Sequence, residues 1–492
     1  MNRTDAIAPT ADAADRAGTT AATDARPTSA REAATRARDL AIGSTFRGLR
    51  VHSRLGAGGM GVTYLASHPI LQMPLVVKII HAQRGDGTLG AQEQVFREAH
   101  FAARVTSAHV VPALDAGFEA GLPFVIQRYV DGIDLGELVQ RHARMGRPVP
   151  LPAVVRLVAD IARGLHAIHQ AGVVHQDVKP ANLFLAGGGE AAVGDFGIAR
   201  EVVERTDDRL SGTPAFIAPE VWQGMRVGRR ADIYALGATA HLLATGRTPF
   251  PAGTIEEARR HHLETPYAPP GGQDPRGAYF FAVVERMLRK TPEDRYPNAD
   301  AVARALGVIA ERMPFPDRSG LHLMRFAGVT VRLIVGDLAA CESADVVVCS
   351  ANPELRMRQG VAEALRCAAG DTVEAEAMAQ GPVAMGEVVW TSAGRLSARA
   401  MAHAVSASEG AVCLQRCMLR LLLEAETRGM RSIAMPLIGA GVGRVPVDLA
   451  GKLVVEAIRT FASLRPQAVN EIRVFALDEA VRDRLWSILE AV

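Results

Sequence analysis

The sequence predicts a multidomain chain, an α+β part in which strands precede helices, followed by a separate α/β part built in three layers. Three observations predict it. At 492 residues the chain is longer than one hydrophobic core organises, so two or three domains are expected. Between about residues 46 and 312, strand-like runs come first and helical runs follow. Beyond Pro314-Phe315-Pro316-Asp317 strands alternate with helices, the pattern of a sheet covered by helices.

Composition bounds the function. Hydrophobic residues at 48% and charged residues at 22% describe ordinary globular protein. A formal net charge of +2 supplies no field for nucleic acid or anionic membrane, and neither is expected as a partner. The sequence has no run of about 20 apolar residues and no basic-then-apolar start, so no membrane span and a cytoplasmic location are expected. All five cysteines (Cys341, Cys349, Cys367, Cys413, Cys417) fall in the last third at uneven spacing, as reduced core thiols do. Cys413 and Cys417 stand one helical turn apart, but no second pair completes a metal set. The chain has only four lysines, Lys78, Lys179, Lys290 and Lys452, and uses arginine for every other positive side chain. A chain that does so keeps lysine where a compact ammonium serves better than a planar fork.

Residues 1–45 are rich in Ala, Thr, Asp and Arg and poor in large apolar side chains, which predicts a disordered tail. Strands are expected over 50–55 and 62–66, flanking Gly56-Ala57-Gly58-Gly59-Met60-Gly61, a turn whose backbone N–H groups approach phosphate oxygens. Strand, glycine turn, strand differs from the dinucleotide pattern, in which a helix follows the glycines directly. The next strand, 75–80, places Lys78 in an apolar run, where an ammonium needs a partner. Glu98, in a helical stretch over 92–105, is the expected one. A strand over 123–129 leads to Asp131-Gly132 and a helix over 135–144. Residues 151–170 carry Val154, Leu157, Val158, Ile161, Leu165 and Ile168 at helical spacing and stop at Ala171-Gly172. Further helical segments are expected over 231–244, 279–288 and 299–312.

The helix over 151–170 delivers the chain to His175-Gln176-Asp177-Val178-Lys179-Pro180-Ala181-Asn182. An Asp, a Lys two residues on and an Asn three beyond that offer a proton acceptor, a point charge and a metal-binding amide, the parts that phosphoryl transfer needs. Asp195-Phe196-Gly197, Gly212-Thr213-Pro214 and Ala218-Pro219-Glu220 follow in order.

In these motifs residues 46–312 resemble the bacterial Hanks-type Ser/Thr protein kinases over a whole two-lobed domain. The resemblance implies ATP and Mg2+ as cofactors and protein Ser/Thr hydroxyls as acceptors. By that likeness Gly56, Gly58 and Gly61 cover the phosphates, Leu55 and Val62 lie above the adenine, and Gln127 stands at the gatekeeper position. Lys78 binds the α and β phosphates and is held by Glu98. Asp177 orients the acceptor hydroxyl, Lys179 neutralises the transferred phosphoryl, and Asn182 and Asp195 bind magnesium. Glu220 pairs with Arg295, and together with Asp232 that pair supports the catalytic loop. Gln176 occupies a place where many of these kinases have the arginine that receives an activation-loop phosphate, so loop phosphorylation is expected to matter less. Val76 replaces the usual alanine beside the adenine. Thr206, Ser211 and Thr213 are the expected phosphosites, with Thr213 also a support for Asp177.

After an expected linker, 313–327, strands are expected over 329–335, 344–349, 388–391, 401–405, 432–437 and 471–477. Helices are expected over 361–369, 412–428, 447–462 and at the C-terminus. Ligands of such sheets bind at the carboxyl ends of strands. Those ends carry Gly336-Asp337, Ser350-Ala351-Asn352 and Ile438-Gly439-Ala440-Gly441-Val442-Gly443-Arg444. In these features residues 328–492 resemble a macro domain, the ADP-ribose-binding module. The likeness implies that Asp337 accepts from the adenine amino group, that Asn352 contacts the distal ribose, and that Gly360, Gly439, Gly441 and Gly443 surround the diphosphate. Where many macro hydrolases have glycines and then an acid, this chain has Arg356-Met357-Arg358-Gln359-Gly360-Val361-Ala362, so a binder is favoured over a hydrolase. The expected whole is a kinase whose macro domain binds ADP-ribose or a related nucleotide, with ADP-ribosylated protein as a partner. The alternatives are a pseudokinase scaffold and a two-enzyme chain of kinase and ADP-ribosyl hydrolase.

Overall fold

The structure, a computed structural model, describes residues 40–58, 61–80, 105–119, 122–195, 213–311, 317–320, 322–408, 411–441 and 443–491. The expected tail, apart from 40–45, and the expected helix at 92–104 lie outside the described residues.

Strands β1 (Thr45–Phe46), β2 (Leu49–Gly58), β3 (Gly61–Ser67), β4 (Pro74–Ile80), β5 (Ala113–Glu119) and β6 (Leu122–Arg128) form an antiparallel sheet in the order β1-β2-β3-β4-β6-β5. In β4 the residues alternate in burial, Leu75, Val77 and Ile79 on one face and Val76 and Lys78 on the other. Gly61 has to be glycine, since a Cβ there would lie 2.0 Å from the Ile79 carbonyl oxygen.

Strand β7 (Gly132–Asp134) opens the helical half and pairs with β8 (Leu183–Ala186), which pairs with β9 (Ala191–Val193). Helix α1 (Leu135–Arg144) starts where the Asp134 carboxylate accepts from Glu137 N. Helix α2 (Leu151–Gln170) buries the six apolar residues that its spacing predicts. Then come α3 (Pro219–Trp222), α4 (Arg229–Thr245), α5 (Ile255–Glu264), α6 (Pro275–Met287) and α7 (Ala299–Gly307). Gly246, at φ 73°, ends α4 in the left-handed region. Helix α5 was not expected from apolar spacing. Its start is a Thr254-x-x-Glu257 pattern, with Thr254 Oγ accepting from Glu257 N.

The last part of the chain holds an eight-stranded sheet. Its strands are β10 (Asp317–Gly320), β11 (Leu323–Phe326), β12 (Val329–Val335), β13 (Val346–Ala351), β14 (Val388–Thr391), β15 (Ala400–Val405), β18 (Ser432–Pro436) and β19 (Glu471–Ala476). A short hairpin, β16 (Ala407–Ser408) and β17 (Ala411–Val412), stands apart. The sheet order is β10-β11-β12-β19-β18-β13-β15-β14, parallel from β12 through β15. Residues 317–320 and 323–326 are therefore not linker but two antiparallel strands of this sheet, since β11 pairs with β12 and β10 with β11. Helices α8 (Gly360–Ala369), α9 (Thr372–Met378), α10 (Leu414–Thr427), α11 (Val447–Ser463) and α12 (Glu479–Ala491) complete it. In β13, Val347 and Cys349 pack with Leu365 of α8, whereas Val346 and Val348 join the cluster containing Leu421 of α10. Alternate side chains thus meet helices on opposite faces, which makes three layers.

Residues 42–492 form one compact unit. Its two folded parts meet along α1 and α10. Glu137 takes a forked pair of bonds from Arg420, at 2.8 and 2.7 Å. Arg141 reaches Glu424 at 3.2 Å, and Arg147 reaches Glu426 at 2.6 Å. The Thr460 hydroxyl donates to the Gly187 carbonyl at 2.6 Å.

Candidate active site and nucleotide sites

The loop 175–182 is held from beneath by one buried carboxylate. Asp232 is 1% exposed and accepts from His175 N at 2.8 Å, Gln176 N at 2.8 Å and His169 Nε2 at 2.7 Å. Three donors meet the need of a charge placed away from water. They also hold Gln176 at φ 64°, a left-handed conformation that an exposed glutamine adopts only when its surroundings impose it.

His175 is fixed in one tautomer. Its Nδ1 faces the N–H of Asp177 at 3.2 Å and must accept, while its Nε2 faces the Gly194 carbonyl at 2.9 Å and must donate. The ring thereby ties the loop to the segment that carries Asp195. Support from Asp232 was legible in the sequence. The bracing by His169 and His175 was not, because a histidine on a helix carries no signal of what it will face.

At the centre of the site, Asp177 Oδ2 receives Lys179 Nζ at 2.9 Å and Asn182 Nδ2 at 3.0 Å. The same Nδ2 donates to the Asp177 carbonyl at 2.8 Å. With its nitrogen committed to two acceptors, the Asn182 amide turns Oδ1 the other way, as a hard oxygen donor suited to magnesium. Across the cleft, Lys78 Nζ lies 2.9 Å from Asp195 Oδ1. Asp195, at φ 46°, is a second strained position of the loop region. Glu98, Phe196, Gly197, Thr206 and Ser211 lie outside the described residues, and Thr213 is exposed.

The nucleotide cleft corrects one assignment. Val62 pairs with Ile79, whereas Thr63 pairs with Lys78. Residues directly opposite share a face, so Thr63 stands on the cleft side with Lys78, and Val62, 2% exposed, is turned to the other side. The cause is register: the ladder pairs Gly61 with Ile80, which sets the phase of every later side chain. Gln127, the expected gatekeeper, pairs with Val76 and is buried beside it on that cleft face. Leu55 and Val76 pack against an apolar cluster that includes Leu65 and Tyr129. Gly56 and Gly58 lie in β2, which Gly58 ends.

Farther down the chain, Glu220 and Arg295 form a forked pair at 2.7 and 2.8 Å. Arg295 also donates to the carbonyls of Arg289, Arg230 and Lys290, so all five of its N–H groups are used. Its guanidinium lies 4.8 Å over the Tyr234 ring.

In the last domain Asp337, Asn352 and residues 437–443 follow the carboxyl ends of β12, β13 and β18, so the parallel sheet gathers them at one edge. Asp337 Oδ1 accepts from Ala339 N at 2.9 Å, and Asn352 Oδ1 accepts from Arg356 N at 3.1 Å. Gly439 is required, with φ 87° and a Cβ position 2.9 Å from Leu414 Cδ1, while Gly441 faces open space. Gly360, at φ 56°, opens α8, and Gly443 is half-buried. Met357 turns into the core, Arg356 and Arg358 stay exposed, and Ala362 is buried without a polar group. The five cysteines are free; burial pushes the Cys349 and Cys413 thiols up to about 12 and raises that of Cys417, so these three are inert core groups, whereas Cys341 is half-buried and Cys367 is exposed, not the core thiols expected. Among the described residues no helix is long and apolar enough to cross a membrane.

A family model described as "Protein kinase domain" matches residues 49–305, and one described as "Macro domain" matches residues 348–454. The serine/threonine-protein kinase PknH of Mycobacterium tuberculosis is 36% identical over 276 residues, 55% of this chain and 43% of that protein. The serine/threonine-protein kinase Pkn1 of Myxococcus xanthus is 34% identical over 285 residues, 55% of this chain and 40% of that protein. The chain thus spans less than half the length of these relatives. Among solved structures, the PknI kinase domain of M. tuberculosis is 31% identical, covering 55% of this chain and 99% of that one, with a TM-score of 0.45.

Proposed function

The chain belongs to the protein kinase family and carries a macro domain behind the kinase domain, and from that premise we propose that it transfers the γ-phosphoryl of ATP to Ser and Thr hydroxyls of proteins. The observation that carries this reading is the Asp177 carboxylate, with Lys179 Nζ at 2.9 Å and Asn182 Nδ2 at 3.0 Å on the same oxygen. The Asp177 carboxylate is assigned to the acceptor hydroxyl and its proton. Lys179 then stands beside the transferring phosphoryl as a point charge, and Lys78 beside the α and β phosphates. Asn182 Oδ1 and the Asp195 carboxylate are the groups that would hold magnesium. A magnesium ion held there would supply positive charge that offsets the charge of the phosphates. Phosphate transfer from magnesium-ATP to the chain itself or to a basic protein acceptor tests the reading, and Asp177→Asn should abolish it.

The macro domain is assigned the binding of ADP-ribose or a related nucleotide, and ADP-ribosylated protein is the partner class that follows. Support comes from Asp337, Asn352 and the glycine loop at one sheet edge. Ala362 offers no acid or base, which favours binding over hydrolysis. Calorimetric titration of the full chain with ADP-ribose tests this assignment. Heat should appear and weaken at least tenfold in Asn352→Ala, and no heat at millimolar ligand would contradict it.

A further inference from the structure

The macro domain grips the segment that joins the two kinase lobes. Residues 129–134 run from the end of β6 to α1, and their outer side meets the first turn of α10. That turn lacks a cap of its own, since its N-cap residue, Cys413, makes no side-chain capping bond. Asp131 supplies one from the other domain: its two carboxylate oxygens accept from Gln415 N at 2.9 Å and Arg416 N at 2.8 Å. A carboxylate at a helix N-terminus satisfies orphan N–H groups and meets the positive end of the helix dipole.

Three further contacts hold this segment or flank it. One turn into α1, Glu137 receives the fork of Arg420, with both side chains largely out of solvent. On the other side, Gly187 N donates to the Asp131 carbonyl at 3.0 Å, and Gly187 packs so closely on α10 that a Cβ there would lie 2.2 Å from Gln415 Cβ. Tyr129, two residues before Asp131, shares one apolar cluster with Leu65 of β3 and with Cys413 and Leu355 of the macro domain. Val76 and Leu55, at the nucleotide cleft, pack against that cluster.

We propose that helix α10 of the macro domain is a positioning element of the kinase nucleotide site, holding residues 129–134 through Asp131 and Glu137 in the conformation that receives ATP. Asp131, Glu137 and Arg420 are positioning residues. They act through the segment 129–134, whose Tyr129 packs in one cluster with Leu65, Val76 and Leu55 at the cleft, and the proposal rests on the kinase reading given above.

The test is the affinity of the full chain for magnesium-ATP, measured by calorimetry, together with KM and kcat. Arg420→Glu, which lies in the macro domain, and Asp131→Arg are expected to weaken ATP binding fivefold or more and to raise KM more than they lower kcat. Arg420→Lys and Asp131→Asn, which keep a donor and an acceptor in place, should stay within twofold of the native chain. If Arg420→Glu fails to fold, Gly187→Ala separates the same surfaces without a change of charge, and the same loss is expected. Native affinity in a folded Arg420→Glu or Gly187→Ala chain overturns the proposal. So does a loss of affinity in Arg420→Lys equal to that in Arg420→Glu. A native chain that binds ATP but transfers no phosphoryl contradicts the kinase reading alone, and the ATP affinities of the variants still decide this one.

Discussion

Lys78 Nζ stands 2.9 Å from Asp195 Oδ1, although 117 residues separate them in sequence. The strand β4 and the segment after β9 bring this ammonium and this carboxylate to one point, the groups proposed above for phosphate and for metal. Alternation along β4 aims Lys78 into the cleft, and the His175 bond to Gly194 holds the residue before Asp195. Lys78→Ala should lower kcat/KM for ATP by roughly 100-fold or more, as removal of a preorganised charge does. Lys78→Arg should fail to restore it, because a planar fork does not replace a compact ammonium. Initial rates at varied ATP check both.

Glu220 and Arg295 are buried together, and every N–H of the arginine has an acceptor. Glu220→Ala leaves that guanidinium buried without its counter-charge. A loss of about 3–5 kcal/mol is expected, read as a lower urea midpoint with an unchanged slope. A loss below about 1 kcal/mol would mean that the pair is not the support of the loop that its geometry makes it.

Acid should weaken the fold in a defined window. Burial holds His142, His241 and His403 down at about 4, and burial followed by the Lys290 charge holds His262 at about 3, against an ordinary value of 6.5. A depressed histidine favours the neutral ring in the folded state, so its contribution is complete above pH 6.5 and is lost as pH falls towards 4. Asp131 acts in the opposite sense, since burial raises it to about 6 and protonation relieves its cost below that pH. Four rings outweigh one carboxyl, and the melting temperature should fall steadily between pH 6.5 and 4. A melting temperature that is flat or rising across that range contradicts this account.

Much of this was legible because it is local. The apolar spacing of 151–170 predicts α2, and the octapeptide predicts the chemistry of Asp177, Lys179 and Asn182, which the fold then brings together. The phase of β3 was not, because whether Val62 or Thr63 faces the cleft depends on strand register rather than on residue type. Strands β10 and β11 were missed for a similar reason: at four residues each, their pairing partners decide them. Helix α5 carried a signal in Thr254 and Glu257 that apolar spacing overlooks. The docking of Asp131 on α10 had no signal at all, since surfaces that meet across domains obey no spacing rule.

The central claim is that Asp177 serves phosphoryl transfer in a loop that needs little help from an activation-loop phosphate. Gln176 bears on both halves: its backbone is fixed by Asp232, and its side chain, exposed and uncharged, replaces the arginine that receives such a phosphate in many of these kinases. The most direct measurement is transfer of labelled phosphate from magnesium-ATP by the native chain, Asp177→Asn and Thr206→Ala, side by side. Incorporation by the native chain is expected, most of it retained in Thr206→Ala and none above background in Asp177→Asn. Incorporation by Asp177→Asn at the native rate, or no incorporation by the native chain, would contradict it.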